Sequence, residues 1–117
     1  MTKVAAIQMV STPVIEENIK TARRLIDEAA GKGADLVLLP EYWPSIGHSD
    51  SERLQHAEVF GSGLIQDFMA EVAQKNKIWL IGGTLSLVSP EPEKVLNSSL
   101  VYDANGKNVA RYDKIHL

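Results

Sequence analysis

A chain of 117 residues, 44% hydrophobic and 23% charged, has the size and composition of one globular domain and is neither fibrous nor disordered in character. Its 12 Lys+Arg against 15 Asp+Glu leave a net charge of -3, which argues against the cation clusters that nucleic-acid binding requires. The absence of cysteine excludes disulfides, thiolate metal sites and a cysteine nucleophile within these residues, and no apolar run approaches the ~20 residues of a membrane span.

Val4-Ala5-Ala6-Ile7, with Met9-Val10, is a short apolar run and predicts a buried strand. Ser11-Thr12-Pro13 then supplies a cap candidate and a proline suited to the first helical position, with Glu16 and Glu17 in the first turn. Ile15, Ile19, Ala22, Ile26 and Ala29 recur at helical spacing and predict an amphipathic helix with one core face. Gly31-Lys32-Gly33 stops it, since glycine reaches the left-handed conformation that helix ends use.

Leu36-Val37-Leu38-Leu39 is apolar without alternation, the pattern of a strand covered on both faces, and Pro40 ends it. Residues 41–51 read as a loop carrying Tyr42 and Trp43. Leu64, Ile65, Phe68, Met69, Val72 and Ala73 predict a second helix over 64–75, terminated by Asn76. Ile78-Trp79-Leu80-Ile81 predicts another buried strand, with Trp79 in the core, closed by Gly82-Gly83. Ser89 to Glu93 is a surface loop. Runs 95–102 and 109–112 flank Asn105-Gly106, a strong hairpin signal. The order of strand, helix, strand, helix, strand and hairpin predicts a layered α/β fold with a mixed sheet.

Two places invite chemistry. Glu41 follows a strand end, where ligands gather in open α/β sheets. Flanked by Tyr42 and Trp43 it is a candidate general base through desolvation; the plainer reading is a solvated turn carboxylate. Lys114 and His116, two apart in an extended segment, face one way and suit a developing negative charge; the plainer reading is a solvated strand end. His48 and His56 match no metal spacing, and the glycine pairs match no phosphate-binding pattern, so neither a metal nor a cofactor is expected.

Taken together, these segments resemble the amino-terminal part of the carbon–nitrogen hydrolase (nitrilase) superfamily. Val4 to Met9 resembles its first strand, and Ala29 to Asp35 its first helix and turn. Leu36 to Glu41 resembles the motif of its catalytic glutamate, and Arg111 to Leu117 that of its catalytic lysine. The resemblance implies a Glu–Lys–Cys triad, with Glu41 as general base and Lys114 stabilising the oxyanion, while the matching nucleophile is absent from this chain. It also implies one domain over 1–117 that is part of a four-layer αββα sandwich, truncated after the lysine motif and inactive alone. The parent is expected to be an oligomeric, cytoplasmic amidase acting on a small amide or nitrile, with neither nucleic acid nor membrane as partner. The alternatives are a non-catalytic truncated product that self-associates through an uncovered apolar face, and a binding module that uses the Tyr42–Trp43 loop.

Overall fold

The computed structural model describes residues 2–114. In chain order it contains β1 (Val4–Ala6), α1 (Ile15–Gly31), β2 (Leu36–Leu38), α2 (Asp50–His56), α3 (Leu64–Asn76), β3 (Trp79–Ile81), β4 (Leu85–Val88), β5 (Val95–Tyr102) and β6 (Asn108–Asp113). All six strands form one mixed sheet. β1, β2 and β3 run parallel, and β5 turns back against β3, β4 and β6. The α/β expectation with a mixed sheet holds.

The core lies between the sheet and the pair α1 and α3. Ala22 and Ile26 of α1 meet Phe68, Met69, Val72 and Ala73 of α3 over Val37, Leu80, Leu100 and Tyr102 of the sheet. These are the positions that the helical spacing selects. Along the strands the alternation of faces then decides exposure. Ala5, Val37 and Leu80 are partners in one cross-strand row, and the last two are fully buried. The adjacent row, Val4, Leu36 and Trp79, lies on the opposite face, where Val4 is 57% and Trp79 47% exposed. Trp79 is therefore not a core residue, and β1 is an edge strand of three residues, not a buried strand reaching Val10.

Three local readings also change. Pro13 precedes the helix instead of opening it, because Val14 is the N-cap and makes no side-chain cap bond. The stop at Gly33 stands, at φ 93°. Asn76 is the last helical residue of α3, and Lys77 takes the left-handed cap at φ 52°. Segment 41–51 is not all loop: Ser49 accepts from the Glu52 N–H and Glu52 reaches back to the Ser49 N–H, a capping box that starts α2. The hairpin stands as expected. Asp103 accepts from the Asn105 and Lys107 N–H groups, and Gly106 turns at φ 80°.

One buried polar residue organises the start of α1. Asn18 is 1% exposed. Its Oδ1 accepts from the Thr12 N–H at 2.9 Å, and its Nδ2 donates to the Thr12 and Pro44 carbonyls, both at 2.7 Å. It thereby ties the β1–α1 loop to the loop that follows Glu41. Asn18→Ala removes the partner of the Thr12 N–H and of the buried Pro44 carbonyl, while the Thr12 carbonyl keeps the Ile46 N–H, and should lower unfolding stability by about 1–3 kcal/mol. Urea unfolding of the variant against the parent reads the difference.

Candidate active site

The site begins at a strand irregularity. β3 and β4 pair along the same edge of β5, but Gly82, Gly83 and Thr84 on one side oppose only Ser99 and Leu100 on the other. This one-residue excess is a β-bulge, which bends the strand and aims groups out of the ladder. All three residues act on the segment after β2. The Gly82 carbonyl accepts from Trp43 Nε1 at 2.8 Å. Gly83, at φ 62°, lies so close to the Pro40 carbonyl that any Cβ would collide with it. Thr84 Oγ1 accepts from the Tyr42 N–H at 2.8 Å.

The loop is thus clamped on both sides of Glu41. Trp43 is fully buried, its ring 5.6 Å from that of Phe68, so the loop does not present two aromatics as a contact surface. Tyr42 adopts φ 55°, an uncommon conformation for an aromatic residue and of the sort that persists only where surrounding contacts enforce it. The turn at Tyr42 sends Trp43 inward and leaves the Glu41 side chain outside.

Lys114 comes from the far end of the chain. β6 carries it to the same place, and its N–H donates to the Asn97 carbonyl at 2.8 Å. Just before it, Asp113 accepts from the buried Ser98 hydroxyl at 2.6 Å and from Arg111 Nε at 2.9 Å. The Arg111 guanidinium and, after it, the Ser98 hydroxyl hold the Asp113 carboxyl below the usual range. Arg111 also lies over the Phe60 ring, 4.6 Å from its centroid. The charges beside Lys114 are a network that sets the strand end.

Lys114 Nζ donates to Glu41 Oε1 at 2.5 Å, across 73 residues of sequence. The two candidates are brought into direct contact. Glu41 raises the ammonium above its ordinary value, first through the hydrogen bond and then through its charge. The sign follows: Lys114 stays charged at neutral pH, and on the alkaline side its half of the pair is lost as pH rises through the raised value. Among the described residues the two side chains are 51% and 46% exposed, so charge pairing and not desolvation characterises Glu41 here. His116, expected to face the same way as Lys114, lies outside the described residues.

The site also contains residues that no motif announced. Asn97 Nδ2 donates to the Tyr42 hydroxyl at 3.0 Å. The two glycines of the bulge read only as a strand end, and Thr84 carries no sequence signal. Among the described residues no group of three or more His, Cys, Asp or Glu side chains is arranged to hold a metal, and no helix is long and apolar enough to cross a membrane.

Known proteins resemble this chain in sequence and fold. The deaminated glutathione amidase of Synechocystis sp. (strain PCC 6803 / GT-S) is 35% identical over 114 residues, covering 97% of this chain and 41% of that protein. The omega-amidase NIT3 of Saccharomyces cerevisiae is 34% identical over 122 residues, covering 98% and 41%. The crystal structure of S. cerevisiae Nit3, a member of branch 10 of the nitrilase superfamily, superimposes with a TM-score of 0.85 at 29% identity, over 98% of this chain and 44% of that one. The chain spans about two-fifths of the length of these relatives. The family model described as carbon-nitrogen hydrolase matches residues 3–117, and the chain belongs to that family.

Proposed function

We propose that this chain supplies the base and the cation of an amidase that hydrolyses a non-peptide C–N bond in a small amide or nitrile. The observation that carries the reading is the contact between Glu41 Oε1 and Lys114 Nζ, made by the two residues whose segments resemble the family's glutamate and lysine motifs. The relatives named above are amidases. The chain holds no cysteine, so the thiol comes from outside these 117 residues, from a continuation of the chain or from a second polypeptide.

The chemistry follows from the two groups. For an amide substrate, Glu41 takes the proton of the attacking thiol as the S–C bond forms. The carbonyl oxygen becomes an oxyanion, and the Lys114 ammonium donates to it. Glu41 returns the proton to the nitrogen, the C–N bond breaks and ammonia leaves, with an acyl thioester remaining. A water then loses its proton to Glu41 and attacks the thioester, releasing the carboxylic acid and restoring the thiol. A thiol nucleophile suits the reducing cytoplasm, where we place the protein. Self-association is part of the reading, supported by the apolar sheet face that carries Val4 and Trp79.

Ammonia release from primary amides, measured with the pure 117-residue chain and with the thiol-complete enzyme, tests the assignment. The chain alone should stay at background, and the complete enzyme should turn over until iodoacetamide blocks its thiol. Turnover by the pure chain, or turnover indifferent to alkylation, contradicts the reading.

A further inference from the structure

Asn97 is 6% exposed and lies in the middle of the sheet on β5. It makes two contacts that meet at the site from opposite sides. Its side-chain Nδ2 donates to the hydroxyl of Tyr42, the residue directly after Glu41. Its backbone carbonyl accepts from the N–H of Lys114. The Lys114 ammonium in turn donates to Glu41. Glu41, Tyr42, Asn97 and Lys114 therefore form a closed ring, joined by one peptide bond and three hydrogen bonds.

We infer that Asn97 is a positioning residue, which closes this ring and so sets where the Glu41 carboxylate and the Lys114 ammonium meet. The inference rests on the amidase reading above. Two further facts support it. Tyr42 is held at φ 55° and tethered at both ends, its N–H by Thr84 and its hydroxyl by Asn97. Without the second tether the Tyr42 ring keeps Arg53, 5.3 Å from its centroid, and no longer links the Glu41 segment to β5. Among the described residues, Asn97 Oδ1 is also buried without a partner. Buried polar atoms are almost always paired. With one atom unsatisfied among the described residues, and its other atom and its backbone serving the site, the side chain fits a role in the site better than one in folding.

The ring makes a specific forecast, because a ring broken at one point is already open. In the thiol-complete enzyme, Asn97→Leu and Tyr42→Phe should each lower kcat about tenfold and leave KM within about twofold. The double variant should be no slower than the slower single variant. A second readout needs no turnover. In the protein labelled with 15N-lysine, titration of Lys114 Nζ should show its raised value falling toward 10.5 in both variants. Tyr42→Phe removes one atom, and it keeps the test open should Asn97→Leu not fold.

Losses that multiply in the double variant overturn the inference, as does an Nζ titration unchanged by either substitution. Glu41→Gln separates this from failure of the amidase reading. If that variant stays active, the base assignment falls, and the Nζ titration still decides whether the ring exists.

Discussion

Glu41→Gln should lower kcat of the thiol-complete enzyme by at least about a thousandfold, equivalent to about 4 kcal/mol of transition-state stabilisation. The amide keeps the size of the carboxylate, and its oxygen still accepts from Lys114, so the contact that shapes the site survives. What disappears is the ability to take a proton from the thiol, return it to the leaving amine and take another from water. In the proposed mechanism one residue serves all of these transfers, and no second carboxylate touches Lys114 among the described residues. KM should move little, since a base that acts on the attacking atom adds nothing to ground-state binding. Steady-state kinetics, together with a circular dichroism spectrum matching the parent, checks the expectation. A loss confined to KM would mean that Glu41 binds substrate and performs no chemistry.

Gly83→Val should cost at least about 3 kcal/mol of stability, and it should disable the site in whatever protein remains folded. Two independent obstacles add at this position. A φ of 62° is hostile to a β-branched side chain. The new Cβ would also run into the Pro40 carbonyl, and backbone cannot rotate aside as a flexible side chain can. Relief requires Pro40 to retreat, which carries Glu41 away from Lys114. Gly31→Ala is the informative control. That residue is helical, and among the described residues outside its own helix a Cβ there would meet nothing within 4 Å, so the substitution should be neutral or should stabilise by up to about 1 kcal/mol. Urea unfolding of both variants reads the contrast, and equal effects would show that the bulge does not hold the loop.

Much of the site's frame is legible in the amino-acid sequence. Leu36 to Leu39 had no polar alternation and ended in Pro40-Glu41, which placed a carboxylate at a strand end. Asn105-Gly106 set the hairpin whose second arm delivers Lys114. These signals are local, carried by one segment's own composition. What stayed hidden depends on contacts between distant segments. Gly82-Gly83 looked like a strand terminus, because a bulge is defined by the partner strand, here β5. Asn97 and Thr84 carry no motif, and their roles arise only once β5 and the bulge meet Tyr42.

The two tryptophans show the same limit. Trp43 sits among turn-forming residues in a segment that reads as loop, yet it is buried against Phe68 with its N–H on Gly82. Trp79 sits in an apolar run and read as core, yet it faces the sheet side opposite α1 and α3. A continuous apolar run says that a strand is apolar on both faces, but not which layer covers each face. The helix α2 was legible in principle, since Ser49 and Glu52 have the spacing of a capping box. Seven residues with no buried face gave its periodicity too little to display.

The central claim is that Glu41 and Lys114 act as one unit in amide hydrolysis. A double-mutant cycle on kcat of the thiol-complete enzyme, with Glu41→Gln, Lys114→Met and the two combined, tests it most directly. Each single variant should lose at least about a hundredfold, and the combined variant should be within a few-fold of the worse single one, because partners in one transition state cannot be lost twice. Losses that multiply, or a Lys114→Met enzyme that retains its rate, would contradict the account.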